Sequence, residues 1–392
     1  MLDFNNTQLA FSSKSDNELK MVYVLFLAMK NRGVVSLAKG LTGFTERIGL
    51  PVGWAVKPTL YRHFVGGETL DECKLVIKKL KEYNIYSVPD YSAEGGGKLQ
   101  DIQEAFNETK KAIDLAVKEP SIAYAVFKPS ALIAGEVLQK LSTENPTLGE
   151  VEKEEYGNFR SRVLSLCETA HNSGVKIMID AEHFAFQKYV DAIAEEAMGL
   201  YNKNSAIVFH TLQMYRTDRL DYLKELHKKA KERGYVPGIK FVRGAYMEQE
   251  RQRAYELGYQ DPIHPNKNAT DRSYDDGLQY VMDNLKEFEL FSGTHNYESN
   301  QLLARLIDEK GVERGDKRIF FSQLYGMSDN ISFTLASEGY NVCKYLPYAP
   351  VNKVLPYLLR RAEENTSVAG QTNRELSLIK SELERRKTVN VK

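Results

Sequence analysis

The chain has 392 residues, and its 53 Lys and Arg balance 53 Asp and Glu, so the net charge is zero. That balance excludes a basic nucleic-acid surface and an acidic tail as organising features. Three cysteines (Cys73, Cys167, Cys343), far apart and odd in number, argue against a disulfide framework and suit a reducing cytoplasm.

The opening "MLDFNNTQLAFSSKSDNELK" has neither the basic-then-apolar pattern of a secretory signal nor the Arg-rich, acid-poor pattern of a mitochondrial presequence. The apolar "MVYVLFLAMK" (21–30) is too short to cross a bilayer and reads as a buried helix. A soluble, cytoplasmic chain is expected, with peripheral contact at the inner face of a membrane left open. "TLDECKLVIKKLKEYN" (69–84) starts with Thr69 and Glu72 in capping-box spacing and sets Leu70, Cys73, Val76 and Leu80 along one face. Residues 1–84 are therefore predicted to be a helical preface packed on a domain formed by 85–392.

From residue 85 onward, short β-rich runs alternate with helical periods. The predicted strands are 85–91 (IYSVPDY), 123–132 (AYAVFKPSAL), 175–182 (VKIMIDAE) and 206–215 (AIVFHTLQMY), then 238–246 (GIKFVRGAY), 290–296 (LFSGTHN), 319–327 (IFFSQLYGM) and 341–348 (NVCKYLPY). Near-continuous apolar runs of this kind belong to parallel strands buried on both faces. The segments between them are amphipathic and end at glycine, as in "AHNSG", "AKERG" and "LASEG". Eight such units predict a (β/α)8 barrel. A doubly wound nucleotide-binding sheet is disfavoured, since no G-x-G-x-x-G sits at a strand–helix turn and no phosphate loop exists.

Barrel active sites lie at the C-terminal ends of the strands. Those ends present Lys128, Asp180, Gln213, Lys240 with Arg243, His295, Gln323 and Tyr345. Any one of them alone would pass for an ordinary loop residue; together they point to a site. After the last strand, Tyr357, Arg360, Arg361 and Glu364 recur at helical spacing, while Leu355, Leu358, Leu359 and Ala362 fill much of the remainder. Such a helix could lie across the barrel mouth, its paired guanidinium forks suited to a carboxylate and Glu364 holding Arg360. An exposed, salt-bridged helix face fits the same periodicity. His210, His295 and Asp180 form no metal motif, since H-x-H and H-E-x-x-H are absent, and no metal is expected. Lys128 or Lys240 as a Schiff-base lysine has no local signature to decide it.

Six segments together resemble a known family: "FVGGETLDEC" (64–73), "FKPSAL" (127–132), "MIDAE" (178–182), "FVRGAYMEQERQRA" (241–254), "QLYGM" (323–327) and "YLPYAPVNKVLPYLLRRAEENTSV" (345–368). In this order, over about residues 60–370, they resemble the proline dehydrogenases, in particular the monofunctional branch that includes the mitochondrial enzymes. The resemblance implies a distorted (β/α)8 barrel that binds FAD, with the last barrel helix over the active site. It implies oxidation of L-proline to Δ1-pyrroline-5-carboxylate, the first step of proline catabolism to glutamate, with hydride passing from C5 to flavin N5 and electrons going to a quinone. A 4-hydroxyproline dehydrogenase is the alternative within the family; a Schiff-base lyase and a carboxylate-binding protein are alternatives outside it.

Carried over by residue, the resemblance makes Arg360, Arg361 and Lys128 the grip on the substrate carboxylate and Asp180 the active-site aspartate. It makes Tyr246, Tyr345 and Tyr357 the aromatic walls, with Glu364 beside the arginines. Asp180, Ala181, Gln213, Lys240, Val242, Arg243, Gly244, Ala245, Thr294, His295 and Gln323 fall at positions that line the flavin, with Lys240 near N5. Many bacterial members carry arginine where Lys240 stands and lysine where Arg243 stands; the eukaryotic branch looks like this chain. Tyr345 matches members specific for proline, those that accept 4-hydroxyproline tending to a smaller residue there. The ends, 1–55 and 372–392, match no family motif.

Overall fold

The computed structural model describes residues 2–31, 33, 56–93, 97–143, 145–367 and 369–389, the side chains of 363–372 excepted. Eight strands form one parallel sheet: β1 (Ile85–Tyr91), β2 (Tyr124–Phe127), β3 (Lys176–Ile179), β4 (Val208–Gln213), β5 (Gly238–Val242), β6 (Glu289–Gly293), β7 (Ile319–Leu324) and β8 (Val342–Tyr348). Their order is β1-β8-β7-β6-β5-β4-β3-β2. The seam between β1 and β2 is closed by a parallel bridge at Ser87 and Ile122, where the Ser87 N–H donates to Ser121 O at 2.8 Å. The fold is a (β/α)8 barrel.

The interior is packed by Val88, Tyr124, Val126, Met178, Phe209, Phe291, Phe320, Cys343 and Tyr345. The Tyr124 ring meets Phe209, Phe291 and Phe320 edge-on, with centroids 5.0, 5.0 and 5.3 Å away. Outward residues of the same strands, such as Ile177, Ile239, Phe241 and Phe321, pack beneath the helices. Burial on both faces is why these strands read as unbroken apolar runs. Several strands are shorter than predicted: 123–132 shrinks to 124–127, because Pro129 cannot donate to a ladder and begins a 3-10 turn, Pro129–Leu132. The runs 238–246 and 319–327 end early at 242 and 324, and glycines at left-handed φ follow them, Gly244 at 138° and Gly326 at 79°. The runs 175–182, 206–215 and 290–296 likewise pair only over 176–179, 208–213 and 289–293. The polar residues beyond those limits are the ones left at the mouth.

The main helices are α1 (Thr7–Ala10), α2 (Asp16–Met29), α3 (Leu70–Lys81), α4 (Leu99–Lys118), α5 (Glu150–Ser173), α6 (Phe184–Tyr201) and α7 (Arg219–Arg233). They continue with α8 (Met247–Leu257), α9 (Lys267–Asp283), α10 (Tyr297–Glu309), α11 (Asp329–Ser337), α12 (Val351–Ser367) and α13 (Ala369–Val389). Gly174 and Gly234 close α5 and α7 in the left-handed conformation expected of them. In α3 the buried face is Leu70, Cys73, Ile77 and Leu80, so Ile77 takes the place predicted for Val76. Thr69 Oγ caps the Glu72 N–H at 3.3 Å, but the Glu72 carboxylate accepts from Glu68 N rather than closing the capping box. The true box is at α2, where Ser15 and Glu18 exchange bonds of 3.3 and 2.8 Å. Helix α2 is not buried all round: Leu19, Val22, Phe26 and Met29 face inward, while Val24 and Leu27 are exposed. Residues 34–55 of the predicted helical preface lie outside the described residues. Among the described residues, no helix is long and apolar enough to cross a membrane.

Candidate active site

Side chains alternate across a strand, so the inward core residues set the phase of each strand's C-terminal end. Two residues beyond Val126, Met178 and Cys343, that phase brings Lys128, Asp180 and Tyr345 to the mouth; from Phe209 it brings Gln213. Lys240 lies between the outward Ile239 and Phe241 and so also points in. The structure joins them. Lys240 Nζ donates to Asp180 Oδ1 at 2.5 Å and lies over the Tyr345 ring, 4.7 Å from its centroid. The Tyr345 hydroxyl donates to Asp180 Oδ2 at 2.7 Å. Burial opposes ionisation of Asp180, but Lys240 and Lys128 beside it hold its carboxyl below the usual carboxylate range. Burial, and then Asp180 and Asp90, push the Tyr345 phenol well up, so it remains a neutral donor.

Asp90 was not among the residues singled out in the sequence. Its buried carboxylate receives Lys128 Nζ on both oxygens, at 2.7 and 2.6 Å. Two Asp–Lys pairs therefore meet at the Tyr345 phenol. The signal was available: the sequence supplied an end residue for every strand but β1, and the phase of Val88 places Asp90 there. Glu182 was also missed. Buried and with its pKa raised by that burial, it accepts from Ser130 N at 2.7 Å and ties the turn after Asp180 to the turn after Lys128.

Arg243, Thr294 and Gln323 sit in the outward phase, toward the helical layer. Arg243 donates to Asp271 (2.8 Å), Thr294 Oγ1 (2.5 Å) and Ser299 Oγ (3.0 Å), with its guanidinium 4.5 Å from the Tyr274 centroid. Gln323 is taken up by Thr294 O, Asn300 and Ser332. His295 receives the Leu324 N–H on Nε2 at 3.4 Å, and its Nδ1 is 3.0 Å from Ser328 Oγ. Burial, then the charges of Lys344, Arg361 and Arg243, lower its pKa to about 3. The imidazole is neutral, and because Nε2 accepts, Nδ1–H donates to Ser328. His210 points outward to Asp191 at 2.9 Å, remote in phase from Asp180. Tyr246 precedes α8, its ring tilted 31° against that of His183 with centroids 3.9 Å apart.

On α12, Tyr357 and Arg361 are buried and the Arg361 guanidinium lies 5.2 Å from the Tyr357 centroid. Leu355, Leu358 and Ala362 are also buried, so this helix is covered on both sides and is not an exposed face. Arg360 is half-buried beside it. The Arg361 charge is one of those that lower the His295 pKa, after burial and Lys344. The predicted Glu364 side chain lies outside the described residues.

The mouth offers a flat ligand specific attachments. Gln213 Oε1 is buried with no hydrogen-bond partner among the described residues, an acceptor able to take an N–H. Gly244 and Ala245 are exposed, and a Cβ on Gly244 would lie 2.4 Å from the Tyr215 ring, so the backbone there must be bare. With Lys240 as a cation, this set fits a flavin ring, which is flat and edged with N–H and C=O groups.

The family model for proline dehydrogenase matches residues 73–374. The chain belongs to the proline dehydrogenase family. It is 35% identical to the carbapenem antibiotics biosynthesis protein CarD of Pectobacterium carotovorum subsp. carotovorum over 82% of this chain and 83% of that protein. It is 39% identical to proline dehydrogenase 1, mitochondrial, of Caenorhabditis elegans over 64% of this chain, and spans 40% of that protein. Identity to the hydroxyproline dehydrogenase of Xenopus laevis is 30% over 85% of this chain and 79% of the relative. Proline utilization A of Bdellovibrio bacteriovorus, inactivated by N-propargylglycine, shares the fold at a TM-score of 0.72 and 21% identity, over 92% of this chain and 38% of the other.

Proposed function

We propose that this member of the proline dehydrogenase family oxidises L-proline to Δ1-pyrroline-5-carboxylate with FAD as cofactor and a quinone as final acceptor. Residues 85–392 serve as the catalytic barrel and 1–84 as its helical preface. The observation that carries the reading is the pairing of Asp180 with Lys240 and of Asp90 with Lys128 at the Tyr345 phenol, beneath a helix whose Arg361 is buried. Such a mouth is charge-balanced before any ligand arrives, yet keeps cations to hand for a carboxylate.

Lys128, Arg360 and Arg361 bind the proline carboxylate, while Tyr345, Tyr357 and Tyr246 wall the ring; fixing both ends orients C5. Asp180 holds the Lys240 ammonium and the Tyr345 hydroxyl in place, so neither reorganises during reaction. Gln213, Lys240, the backbone of 242–245 and the β6–β7 ends around Thr294, His295 and Gln323 would hold FAD, with Ala181 beside Asp180. FAD, when bound, supplies the two-electron acceptor for the C5 hydride. A cytoplasmic chain of this kind would meet a membrane quinone by peripheral contact.

The test is direct. Purified protein should be yellow, should release FAD on heat denaturation, and should bleach anaerobically on addition of proline. Colourless protein that oxidises proline only with added NAD would overturn the reading.

The Xenopus relative favours a second reading, in which 4-hydroxyproline is the preferred substrate. Tyr345 separates the two. Its ring is held by Asp180 and the Lys240 cation, so it cannot swing aside to admit a hydroxyl at C4. Steric rejection discriminates against an added group. We expect a higher kcat/KM for proline than for trans-4-hydroxyproline, and Tyr345→Ser to narrow the ratio by lowering activity on proline. Equal activity of the unmodified protein on both would sink the preference.

A further inference from the structure

The N-terminal segment holds Lys14 and helix α13 holds Glu375, both outside the stretch the family model matches, 73–374. They meet on the turn between β7 and α11. Arg386 of α13 donates to the carbonyls of Phe11 and Lys14, both at 2.9 Å, and Asn330 Nδ2 donates to Phe4 O at 2.9 Å. Beneath these contacts lies a buried charge cluster. Asp329, the first residue of α11, accepts from Lys14 at 2.5 Å and from Lys344 at 2.8 Å. Lys344 is an outward residue of β8, 1% exposed, and also donates to Met327 O at 2.6 Å. Glu375, itself buried, accepts the Ser328 N–H at 2.7 Å. Two cations and two carboxylates close on one turn, with the buried His63 alongside.

That turn touches the candidate site. Ser328 holds a left-handed φ of 51°, which costs a residue with a Cβ and requires support from its surroundings. The same serine offers its Oγ to His295 at 3.0 Å, and Leu324, four residues earlier, donates to the other nitrogen of the ring. We propose that Glu375 is a positioning residue for the active site, acting from the C-terminal helix through Ser328 to hold His295 in its Nδ1-protonated form. The inference rests on the reading of His295 as part of the flavin-lining wall, but its first readout needs neither flavin nor turnover. The end of the chain thereby becomes part of the site's support, although it shares no motif with it.

The experiment uses the full chain labelled with 15N-histidine and records the His295 tautomer, with His295→Asn assigning its signal. Glu375→Gln keeps an oxygen acceptor for the Ser328 N–H and should leave the His295 signature as in the unmodified protein. Glu375→Leu removes the acceptor and should mix or invert the tautomer. In flavin-loaded protein it should also lower kcat/KM for proline about tenfold or more, as leaving a buried N–H donor without its acceptor would. Where Glu375→Leu does not fold, Glu375→Asp keeps the charge but withdraws the oxygens by one methylene, and should shift the signature in the same direction. An unchanged His295 signature in the acceptor-deficient variant, or an equal shift in Glu375→Gln, overturns the proposal. Protein that shows the tautomer pattern yet fails to oxidise proline refutes the enzymatic reading and leaves the positioning intact.

Discussion

Asp180→Ala is expected to lower stability by about 3–5 kcal/mol, the usual cost of leaving one member of a buried ion pair uncompensated. Lys240 is buried and gives its 2.5 Å bond to this carboxylate, while the Tyr345 hydroxyl uses the other oxygen. Alanine would strand both, so loss of activity in that variant alone would be ambiguous. Asp180→Asn narrows this, because its amide oxygen still receives the phenol, while its NH2 faces Lys240 and removes both the charge and that acceptor. The asparagine variant should fold, bind flavin and turn over proline at least about 100-fold more slowly, the order expected when a preorganised electrostatic partner is lost. Thermal denaturation read beside turnover separates the two effects. Wild-type turnover in Asp180→Asn would make the carboxylate a structural counter-ion only.

Arg361→Met should raise the KM for proline by about tenfold or more, since a charge-assisted bond to a ligand contributes about 1.5–3 kcal/mol. The unbranched methionine fills most of the space of the arginine stem and retains a contact with the Tyr357 ring, so the fold should survive. The variant also has a second readout. Arg361 is one of the charges holding the His295 pKa down, after burial and Lys344. Its removal should let that pKa rise from about 3 while burial keeps it below the ordinary value. An unchanged KM in folded, flavin-loaded Arg361→Met would return α12 to a packing role.

The arginine helix shows what periodicity can and cannot settle. Offsets of three and four put Tyr357 and Arg361 on one stripe, but exposure decides between a salt-bridged surface and an inward-facing cation. Exposure depends on what covers the helix. Here the cover is supplied by residues distant in sequence: Tyr61, Phe64 and Met327 share a cluster with Val354, Tyr357 and Leu358. The strand ends were more legible, because the alternation that aims a side chain inward is a local property of extended backbone. Arg243 and Gln323 mark the boundary of that reasoning. They stand at strand ends as Lys128 and Asp180 do, but in the outward phase, so their side chains are taken up by Asp271, Ser299, Asn300 and Ser332.

By itself the sequence determined the eight apolar strands, their order with the helices, and the alternation of side chains along each strand, because each is set by residues within a few positions of one another, whereas which phase faces the barrel interior came from the closed sheet. Only the tertiary structure decided how the charges pair. Lys128 meets Asp90 across 38 residues, Lys240 meets Asp180 across 60, Lys14 meets Asp329 across 315, and Ser328 meets Glu375 across 47. A Coulomb interaction depends on separation in space and on the water excluded around it, and neither is written in spacing along the chain. Closing the barrel brings the strand ends together, and docking α13 on the N-terminal segment seals the turn beside His295.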